Sequence, residues 1–353
     1  MIRIEAEGIA CAFLPETGLL DGFTVTDGGV RIAPLHRAPW VGTDEPMPPD
    51  AAPHLARLGG DFFCAPFADR EEGSALHGWP ANANWTVRQG ADGRLVADLD
   101  RKVRGATLTK TLSLRNDHPF VYQSHRFEGG AGRVTVANHA NVSVLNGALL
   151  RCSHKLLWET PGMPQESDPA RGRSALVYPA QSTDPTAFPG IDAPVDLTRY
   201  PWNPRHEDFV IGIESRGHAL GWTAVTRPAE GDLYLSLRNA RRLPMTMLWH
   251  SNGGRDYAPW SGRHKGCLGV EEGAAKHMLG ISTEADLSGP GALALEPGSV
   301  GDVRHVIGAI AWPSGEPVSR IDADAEGLVV TGEGGAHRRV PFDTSFLELD
   351  RPT

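Results

Sequence analysis

The strongest constraint on the fold is an alternation of apolar and polar side chains that continues almost unbroken from residue 86 to residue 146. Residues 106–115, Ala-Thr-Leu-Thr-Lys-Thr-Leu-Ser-Leu-Arg, show it most clearly, and similar runs occupy 94–100, 120–127 and 133–142. A period of two places alternate side chains on opposite faces of a strand. These runs therefore predict antiparallel strands with one buried and one polar face.

Turn-forming residues agree with a mostly β protein. The 353-residue chain contains 41 Gly and 28 Pro, which supply the backbone angles of tight turns. Asp27-Gly28-Gly29 separates two alternating runs and predicts a hairpin. Further strands are predicted at 209–214, 219–225, 233–238, 245–249, 276–281, 292–295 and 303–312, and residues 151–208 are predicted to be loop-rich.

The domain organisation follows from the strand content. All-β chains often exceed the usual domain length as single units, so we expect one domain spanning residues 1–353. No amphipathic helix or internal repeat interrupts the pattern. Residues 313–353 contain a short strand-like run near 327–331, and the sequence alone assigns this tail neither to the core nor to its exterior.

Charge and composition exclude several classes of protein. The chain has 34 Lys and Arg against 43 Asp and Glu, a net charge of −9, and no basic block, which disfavours nucleic-acid binding. The amino terminus lacks the pattern of a signal peptide, and no apolar run is long enough to span a membrane. We therefore expect a cytoplasmic protein without a membrane partner. The four cysteines have no paired spacing, so reduced thiols are expected instead of a disulfide framework or a zinc motif.

An acidic pair, Glu271 and Glu272, interrupts the apolar run at 267–273, and a charge there requires a reason. The preceding polar and aromatic loop, residues 248–264, is long for a simple connection, and loops on a rigid scaffold often carry binding residues. We interpret the strand as bringing one carboxylate into a cleft beside this loop. Successive strand residues face opposite sides, so only one of the two can serve. The alternative is a solvated carboxylate at a strand end.

Two histidines stand at positions suited to a site. His77 precedes Gly78, a residue small enough to let another group approach closely, and a ligand is the group that we expect. His139 lies near the end of an alternating run. For His77, the alternative is that the ring merely satisfies a loop carbonyl group. His125, in the middle of a run, is interpreted as structural.

The order of these features resembles that of the galactose mutarotase-like family, particularly the aldose 1-epimerases and the hexose-6-phosphate mutarotases. The resemblance spans residues 5–310, and its motifs are, in chain order, Gly59-Gly60, Pro66-Phe67, His77-Gly78, Asn138-His139 and Gly269-Val270-Glu271. It implies a large antiparallel β-supersandwich with the sugar in an open cleft on one sheet.

The resemblance also implies roles for individual residues. Glu271 matches the catalytic base, His139 the acid, and His77 a histidine that orients the substrate. Glu272 occupies the place where the family usually has proline. Glu296 is a further alternative for the base, because Glu296-Pro297-Gly298 matches a Glu-Pro-Gly motif literally. The run 295–298 also fits a Leu-x-Pro-Gly turn of the family, which favours Glu271.

The implied reaction explains these residue types. An aldose exchanges its anomers when a base removes the C1 hydroxyl proton while an acid protonates the ring oxygen, and both groups reverse roles on ring closure. Glu and His suit this exchange because their pKa values can be tuned near the working pH. The reaction requires no metal or organic cofactor.

The expected substrate is an unphosphorylated or acidic sugar, since no arginine follows His77-Gly78 as it commonly does in the hexose-6-phosphate mutarotases. Tryptophan rings can stack on the apolar face of a sugar, and arginines can contact hydroxyl or anionic groups. Besides His77, the expected substrate contacts are Arg57, Trp79, Trp249, Asp256 and Arg263. We expect a small-molecule sugar as the partner and a monomer or homodimer as the assembly.

Two other functions fit the sequence. One is a carbohydrate-binding protein that keeps the cleft without the catalysis. The other is a metal-dependent cupin-like or lyase-like enzyme with His54, His77 and His139 as ligands, since histidine-rich β proteins do bind metals.

Overall fold

The computed structural model describes residues 1–91, 93–275, 291–313 and 315–349. In chain order, the strands are β1 (Ile2–Ala6), β2 (Ile9–Leu14), β3 (Leu19–Asp27), β4 (Val30–Ile32), β5 (Asp61–Cys64), β6 (Trp85–Ala91), β7 (Arg94–Leu99), β8 (Ala106–Ser113), β9 (Phe120–Gly129), β10 (Gly132–Val134), β11 (Val136–Ser143), β12 (Ala148–Cys152), β13 (Lys155–Glu159), β14 (Gln181–Ser182), β15 (Arg199–Tyr200), β16 (His206–Glu214), β17 (Leu220–Arg227), β18 (Asp232–Asn239), β19 (Met245–Asn252), β20 (Cys267–Ala274), β21 (Leu293–Leu295), β22 (Val300–Ala311), β23 (Val318–Asp324), β24 (Gly327–Gly332) and β25 (His337–Val340).

Within the described residues, helical structure is limited to short segments. A five-residue α-helix, α1 (Gly78–Asn82), and 3-10 turns at Pro53–Arg57 and Pro185–Ala187 connect strands, and a further 3-10 turn at Thr344–Leu347 follows the last strand. Within the described ranges, no helix has the length and apolar character needed to cross a membrane.

Two large antiparallel sheets form the body of the protein. The eleven-stranded sheet has the order β1-β2-β3-β5-β11-β20-β19-β16-β13-β14, with β4 paired to β3. The nine-stranded sheet has the order β15-β12-β17-β18-β22-β9-β8-β7-β6. The prediction of an all-β antiparallel fold is confirmed.

The sequence pattern locates most strands correctly. The Asp27-Gly28-Gly29 turn joins β3 to β4, and its two glycines have φ angles of +58° and +82°, which a two-residue hairpin turn requires. Between residues 151 and 208 the structure adds short strands, among them β13 and β14, that the proline-rich sequence did not indicate. The strand predicted at 276–281 lies outside the described residues.

The main core lies between the inner faces of the two large sheets. Alternate residues of β20 show the division: Leu268 and Val270 are buried in this core, whereas Cys267 belongs to a second cluster on the opposite face of the same sheet. This second cluster is rich in aromatic rings, including Phe62 and Trp249. The outer face of the eleven-stranded sheet is therefore itself covered, and the candidate site lies there.

The carboxy-terminal tail covers the outer face of the nine-stranded sheet. Strands β23, β24 and β25 form a three-stranded sheet whose apolar side chains pack on that face. Leu235 and Leu237 of β18 and Val330 of β24 belong to the resulting buried cluster. Burial of apolar surface contributes about 25 cal/mol per Å², so this tail adds to the stability of the sheet beneath it.

Candidate active site

Glu271 and His139 occupy directly opposed positions on the neighbouring antiparallel strands β20 and β11. Opposed residues point to the same face of a sheet, so the pairing register brings two side chains together that are far apart in sequence. The Nε2 atom of His139 lies 3.1 Å from Oε1 of Glu271. Both side chains are buried, with exposed fractions of 5% and 1%.

Burial also sets the electrostatics of this pair. It raises the pKa of Glu271 well above its ordinary value and lowers the pKa of His139 to about 3. Both shifts favour the uncharged forms, because a charge in a dry site loses its hydration. At neutral pH these shifts favour a protonated Glu271 carboxyl group beside an uncharged His139 imidazole.

Two polar atoms of the pair have no protein partner. Within the described part of the chain, Oε2 of Glu271 and Nδ1 of His139 are buried and make no hydrogen bond. Buried polar atoms are normally satisfied by protein, water or ligand. The unpaired carboxyl oxygen is available to accept a hydrogen bond from a bound molecule.

A pocket opens over the pair. Its walls are apolar and aromatic with a few convergent polar groups, which is typical of sites for small molecules. The described residues that line it are Leu58, Phe67, Ala68, Leu76, His77, His139, Gln165, Phe209, Trp249, Arg255, Trp260 and Glu271.

His77 enters the pocket from the loop before α1. Its Nδ1 atom accepts a hydrogen bond of 3.3 Å from the backbone N–H of Ala68, so the ring proton resides on Nε2. The ring lies edge-on to His139, with centroids 5.5 Å apart. Burial, with smaller contributions from His54 and His139, lowers the pKa of His77 well below its ordinary value. His77 is thus a neutral hydrogen-bond donor.

The glycine after His77 has a different role from the expected one. A Cβ atom on Gly78 would lie 2.0 Å from the carbonyl oxygen of Ala65, and the residue has a φ of +71°. The group that approaches closely is therefore the backbone of the neighbouring segment and not a ligand. Gly78 fixes the position of His77 by allowing this contact.

Gly269 makes room for the acidic side chain. A Cβ atom there would lie 2.6 Å from Oε1 of Glu271 and 2.9 Å from Cβ of Trp249. Residues 269 and 271 share one face of β20, so a larger residue at 269 would compete with the carboxyl group for space. This steric requirement explains why a glycine stands two residues before Glu271.

Arg255 forms the polar part of the pocket wall. Its Nη2 atom donates to Oε1 of Glu207 and to Oε1 of Gln165, each at 2.6 Å. The guanidinium group lies 4.0 Å from the ring centroid of Trp260. Trp249 donates from Nε1 to the same Glu207 oxygen at 2.5 Å. Sequence reasoning missed Glu207 and Gln165. Glu207 and Asp208 form an acidic pair at the start of the apolar strand β16, just as Glu271 and Glu272 do within β20, and this pattern could have identified Glu207.

The two alternative glutamates lie elsewhere. Glu272 faces the interior between the sheets, where it accepts hydrogen bonds from Thr223 at 2.6 Å and Thr246 at 2.8 Å and pairs with Nη1 of Arg238 at 2.9 Å. Glu296 is exposed in a turn, and its backbone carbonyl accepts from Ser299. Glu271 is the only one of the three whose side chain lines the pocket.

Comparison of the whole fold with solved structures identifies proteins of similar architecture. A galactose mutarotase related enzyme from Lactobacillus acidophilus superposes with a TM-score of 0.58 at 11% identity, covering 88% of this chain and 97% of that one. A candidate aldose 1-epimerase from Escherichia coli K12 gives 0.58 at 13% identity, covering 87% and 98%. The chain has the galactose mutarotase-like fold.

A third solved structure supports the same assignment. A galactose mutarotase-like protein from Lactobacillus casei gives a TM-score of 0.52 at 12% identity, covering 88% of this chain and 99% of that one. No protein-family model matches the sequence, and no curated protein is significantly similar to it. The predicted resemblance is thus confirmed for the mutarotase-like fold.

Of the remaining residues expected to contact substrate, Trp249 lines the pocket of this mutarotase-like fold. Arg57 and Trp79 are not among the described lining residues. Arg57 is exposed at the end of a 3-10 turn. Trp79 packs against the main core, with the guanidinium of Arg101 5.1 Å from its ring centroid.

Asp256 and Arg263 also lie outside the described pocket lining and have partners of their own. Asp256 is exposed and forms ion pairs with Arg173 and Arg205. Arg263 is exposed and pairs with Glu45. Both side chains therefore form ion pairs at the surface. The loop sequence suggested them as binding residues because it does not show which of its side chains point toward the pocket.

The histidines of the metal hypothesis have other partners. His54 contacts Oδ1 of Asn82 through Nδ1 at 2.9 Å, His77 accepts through Nδ1 from Ala68, and His139 contacts Glu271 through Nε2. These contacts orient each ring within the mutarotase-like fold. Among the described residues, these three histidines do not form a group whose ring nitrogens could hold one metal ion.

Proposed function

We propose that this protein is an aldose 1-epimerase-like enzyme that interconverts the anomers of an uncharged sugar. The observation that supports this most directly is the buried Glu271–His139 pair at the base of the pocket, with one carboxyl oxygen left unpaired. Glu271 acts as the base and His139 as the acid. The fold neighbours at 11–13% identity support the fold on which this chemistry is placed.

The reaction requires one proton to leave the sugar and one to return. The carboxyl proton of Glu271 passes to Nε2 of His139, the C1 hydroxyl donates its proton to Oε2 of the resulting carboxylate, and His139 gives its new proton to the ring oxygen. The bond between C1 and the ring oxygen breaks as the C1 carbonyl forms. After rotation about the C1–C2 bond, the two groups reverse roles and the ring closes. The pair begins and ends with the same number of protons.

Pocket charge favours an uncharged sugar. Among the described lining residues, Arg255 is the only cation, and Glu207 at 2.6 Å already neutralises it. A phosphate or carboxylate on the substrate would have to compete with Glu207 and would also face Glu271. Desolvating an anion without a free cation is costly. The substrate class is therefore an unphosphorylated, uncharged aldose.

The other walls suit a sugar ring. Trp249, Trp260 and Phe209 present aromatic surface to the pocket, which can stack on the apolar face of a pyranose. His77 donates from Nε2 to a sugar hydroxyl, and Gln165 and Arg255 provide further hydrogen-bonding groups at the opposite wall. The enzyme thus holds the ring by stacking and orients it through its hydroxyls.

Proton NMR of freshly dissolved single anomers tests the proposal. We expect the purified protein to accelerate anomerisation of at least one neutral aldose, with smaller effects on hexose 6-phosphates and uronic acids. The non-catalytic alternative predicts that a sugar raises the melting temperature without accelerating anomerisation. Rates equal to buffer across the whole panel would contradict the enzyme assignment.

A further inference from the structure

A second cluster of reactive side chains lies beside the pocket wall. His36, His264 and Cys267 place their potential ligand atoms within 4.8 Å of one another, and they form the one such group of three among the described residues. His264 stacks on Trp249, with ring centroids 5.5 Å apart and an interplanar angle of 13°. We propose that these three side chains form a binding site for a zinc-type transition metal ion.

The spacing of the two imidazoles fits a shared ion. The Nε2 atoms of His36 and His264 are 3.2 Å apart. Two nitrogens bound to one tetrahedral zinc at about 2.0–2.1 Å lie about 3.3 Å apart, so the rings need little adjustment. A single N–H···N hydrogen bond between the rings would give a similar distance. The hydrogen bonds of His264 show which of its ring nitrogens carries a lone pair toward His36.

Hydrogen bonds behind His264 fix its tautomer. Its Nδ1 atom lies 2.7 Å from the hydroxyl oxygen of Ser251, and that hydroxyl donates to Oε2 of Glu207 at 2.9 Å. Because the Ser251 proton is committed to the carboxylate, Nδ1 of His264 must be the donor. Its Nε2 lone pair is then directed at His36. A metal-binding histidine is usually held in this way, by donating its other N–H to a hydrogen-bonded partner.

Cys267 supplies the third ligand, and its orientation is also fixed. Asn141 donates from Nδ2 to the carbonyl oxygens of Gly59 and Gly60 at 3.2 and 3.3 Å, which directs its Oδ1 toward the sulfur of Cys267 at 3.7 Å. In the metal-free protein the thiol donates to Asn141. Metal binding releases the thiol proton to solvent, and the thiolate then binds the ion.

The donor set selects the class of metal. Two imidazoles and one thiolate favour Zn²⁺ or Co²⁺ over Mg²⁺ and Ca²⁺, which prefer oxygen ligands. Three protein ligands leave a fourth tetrahedral position for water. The ligands come from two segments, one holding His36 and the other the stretch from His264 to Cys267 at the start of β20, and His264 stacks on Trp249. The bound ion would therefore support the pocket wall without taking part in the proton transfers.

Cobalt titration of metal-stripped protein tests the site. We expect one Co²⁺ per chain, with the visible absorption of a tetrahedral complex and a near-ultraviolet sulfur-to-cobalt charge-transfer band, and displacement by Zn²⁺. Cys267→Ser should lose the charge-transfer band, whereas Cys152→Ser, which changes a free cysteine outside the cluster, should retain it. Ser251→Ala should weaken binding by about 10- to 100-fold.

A second variant tests the metal site in case Cys267→Ser does not fold. His36 is only half-buried, so His36→Gln should fold, as checked by circular dichroism, and should lose most of the metal affinity. Folded wild-type protein that binds no stoichiometric Co²⁺, or folded Cys267→Ser that keeps the charge-transfer band, would overturn the proposal. These measurements do not use anomerisation, so they test the metal site independently of the proposed enzyme activity.

Discussion

Gly269 and Glu271 lie on the same face of β20, and a Cβ atom on Gly269 would stand 2.6 Å from Oε1 of Glu271. The same Cβ would lie 2.9 Å from Trp249, so a side chain at 269 would be trapped between the carboxyl group and the indole. The position of the carboxyl group therefore depends on the absence of a side chain two residues earlier.

We expect Gly269→Ala to displace Glu271 and to reduce the anomerisation rate at least tenfold. Overpacking of this kind also costs stability, typically about 1–3 kcal/mol, because neighbouring atoms must shift. Gly301→Ala is a matched control in β22, where the nearest atom to a new Cβ is Leu293 Cδ1 at 3.7 Å. Full activity in Gly269→Ala would show that this contact does not position the carboxyl group.

The buried carboxyl of Glu271 should make stability depend on pH. Its pKa is raised in the folded protein, so above about pH 4.5 the unfolded chain loses a proton that the folded chain keeps. The free energy of unfolding then falls as pH rises, by up to about 1.4 kcal/mol per pH unit for this group.

Glu271→Gln removes that titrating group and should therefore gain stability relative to wild type as the pH rises from 5 to 7. Urea unfolding at pH 5, 6 and 7 measures the difference, which isolates Glu271 because the other titrating groups are common to both proteins. Parallel pH profiles would mean that Glu271 is not held in its neutral form.

Glu272 should act on stability rather than chemistry. Removing one member of a buried ion pair leaves the other charge inadequately compensated, which typically costs about 3–5 kcal/mol. Arg238 keeps a second partner, Glu214, at 3.0 Å, so we expect Glu272→Leu to cost about 3 kcal/mol, at the lower end of that range. The exposed Glu296→Leu should change stability by less than about 0.5 kcal/mol. Denaturant unfolding of both variants makes the comparison, and equal midpoints would contradict the assignment of Glu272 to the buried network.

Arg255 should influence substrate binding more than the chemical step. Lysine cannot bridge Glu207 and Gln165 or stack on Trp260 in the way that a planar guanidinium does. We expect Arg255→Lys to raise KM about tenfold with little change in kcat, because the lost contacts bind the ground state and the transition state equally. Arg263→Lys, whose partner Glu45 lies outside the described pocket lining, serves as the control. Similar kinetics for the two variants would remove Arg255 from the proposed sugar site.

Much of the fold follows from local sequence signals. Period-two alternation located the long strands, and Asp27-Gly28-Gly29 located a hairpin, because both depend on residues close together in the chain. The charge within an apolar run singled out Glu271, the position near a strand end singled out His139, and the family resemblance implied their roles. Their opposition across β11 and β20 is a property of strand pairing, which local patterns do not encode.

The parts that sequence reasoning missed depend on distant contacts. Gln165 lines the pocket and Glu207 lies behind it, and both accept hydrogen bonds from Arg255, which is distant from them in sequence. The close neighbour of Gly78 is a carbonyl group from another segment, Ala65. The tail from residue 313 covers the outer face of a sheet, which its own short strand pattern cannot reveal.

In the proposed mechanism, Glu271 and His139 together transfer protons to and from the sugar. Exchange NMR on an equilibrium mixture of anomers measures that step directly, using a neutral aldose that the wild-type protein turns over. We expect Glu271→Gln and His139→Gln, checked for folding, each to lower the enzyme-dependent exchange rate by at least about 100-fold, while Glu296→Gln keeps the wild-type rate. Wild-type exchange in folded Glu271→Gln would contradict the account.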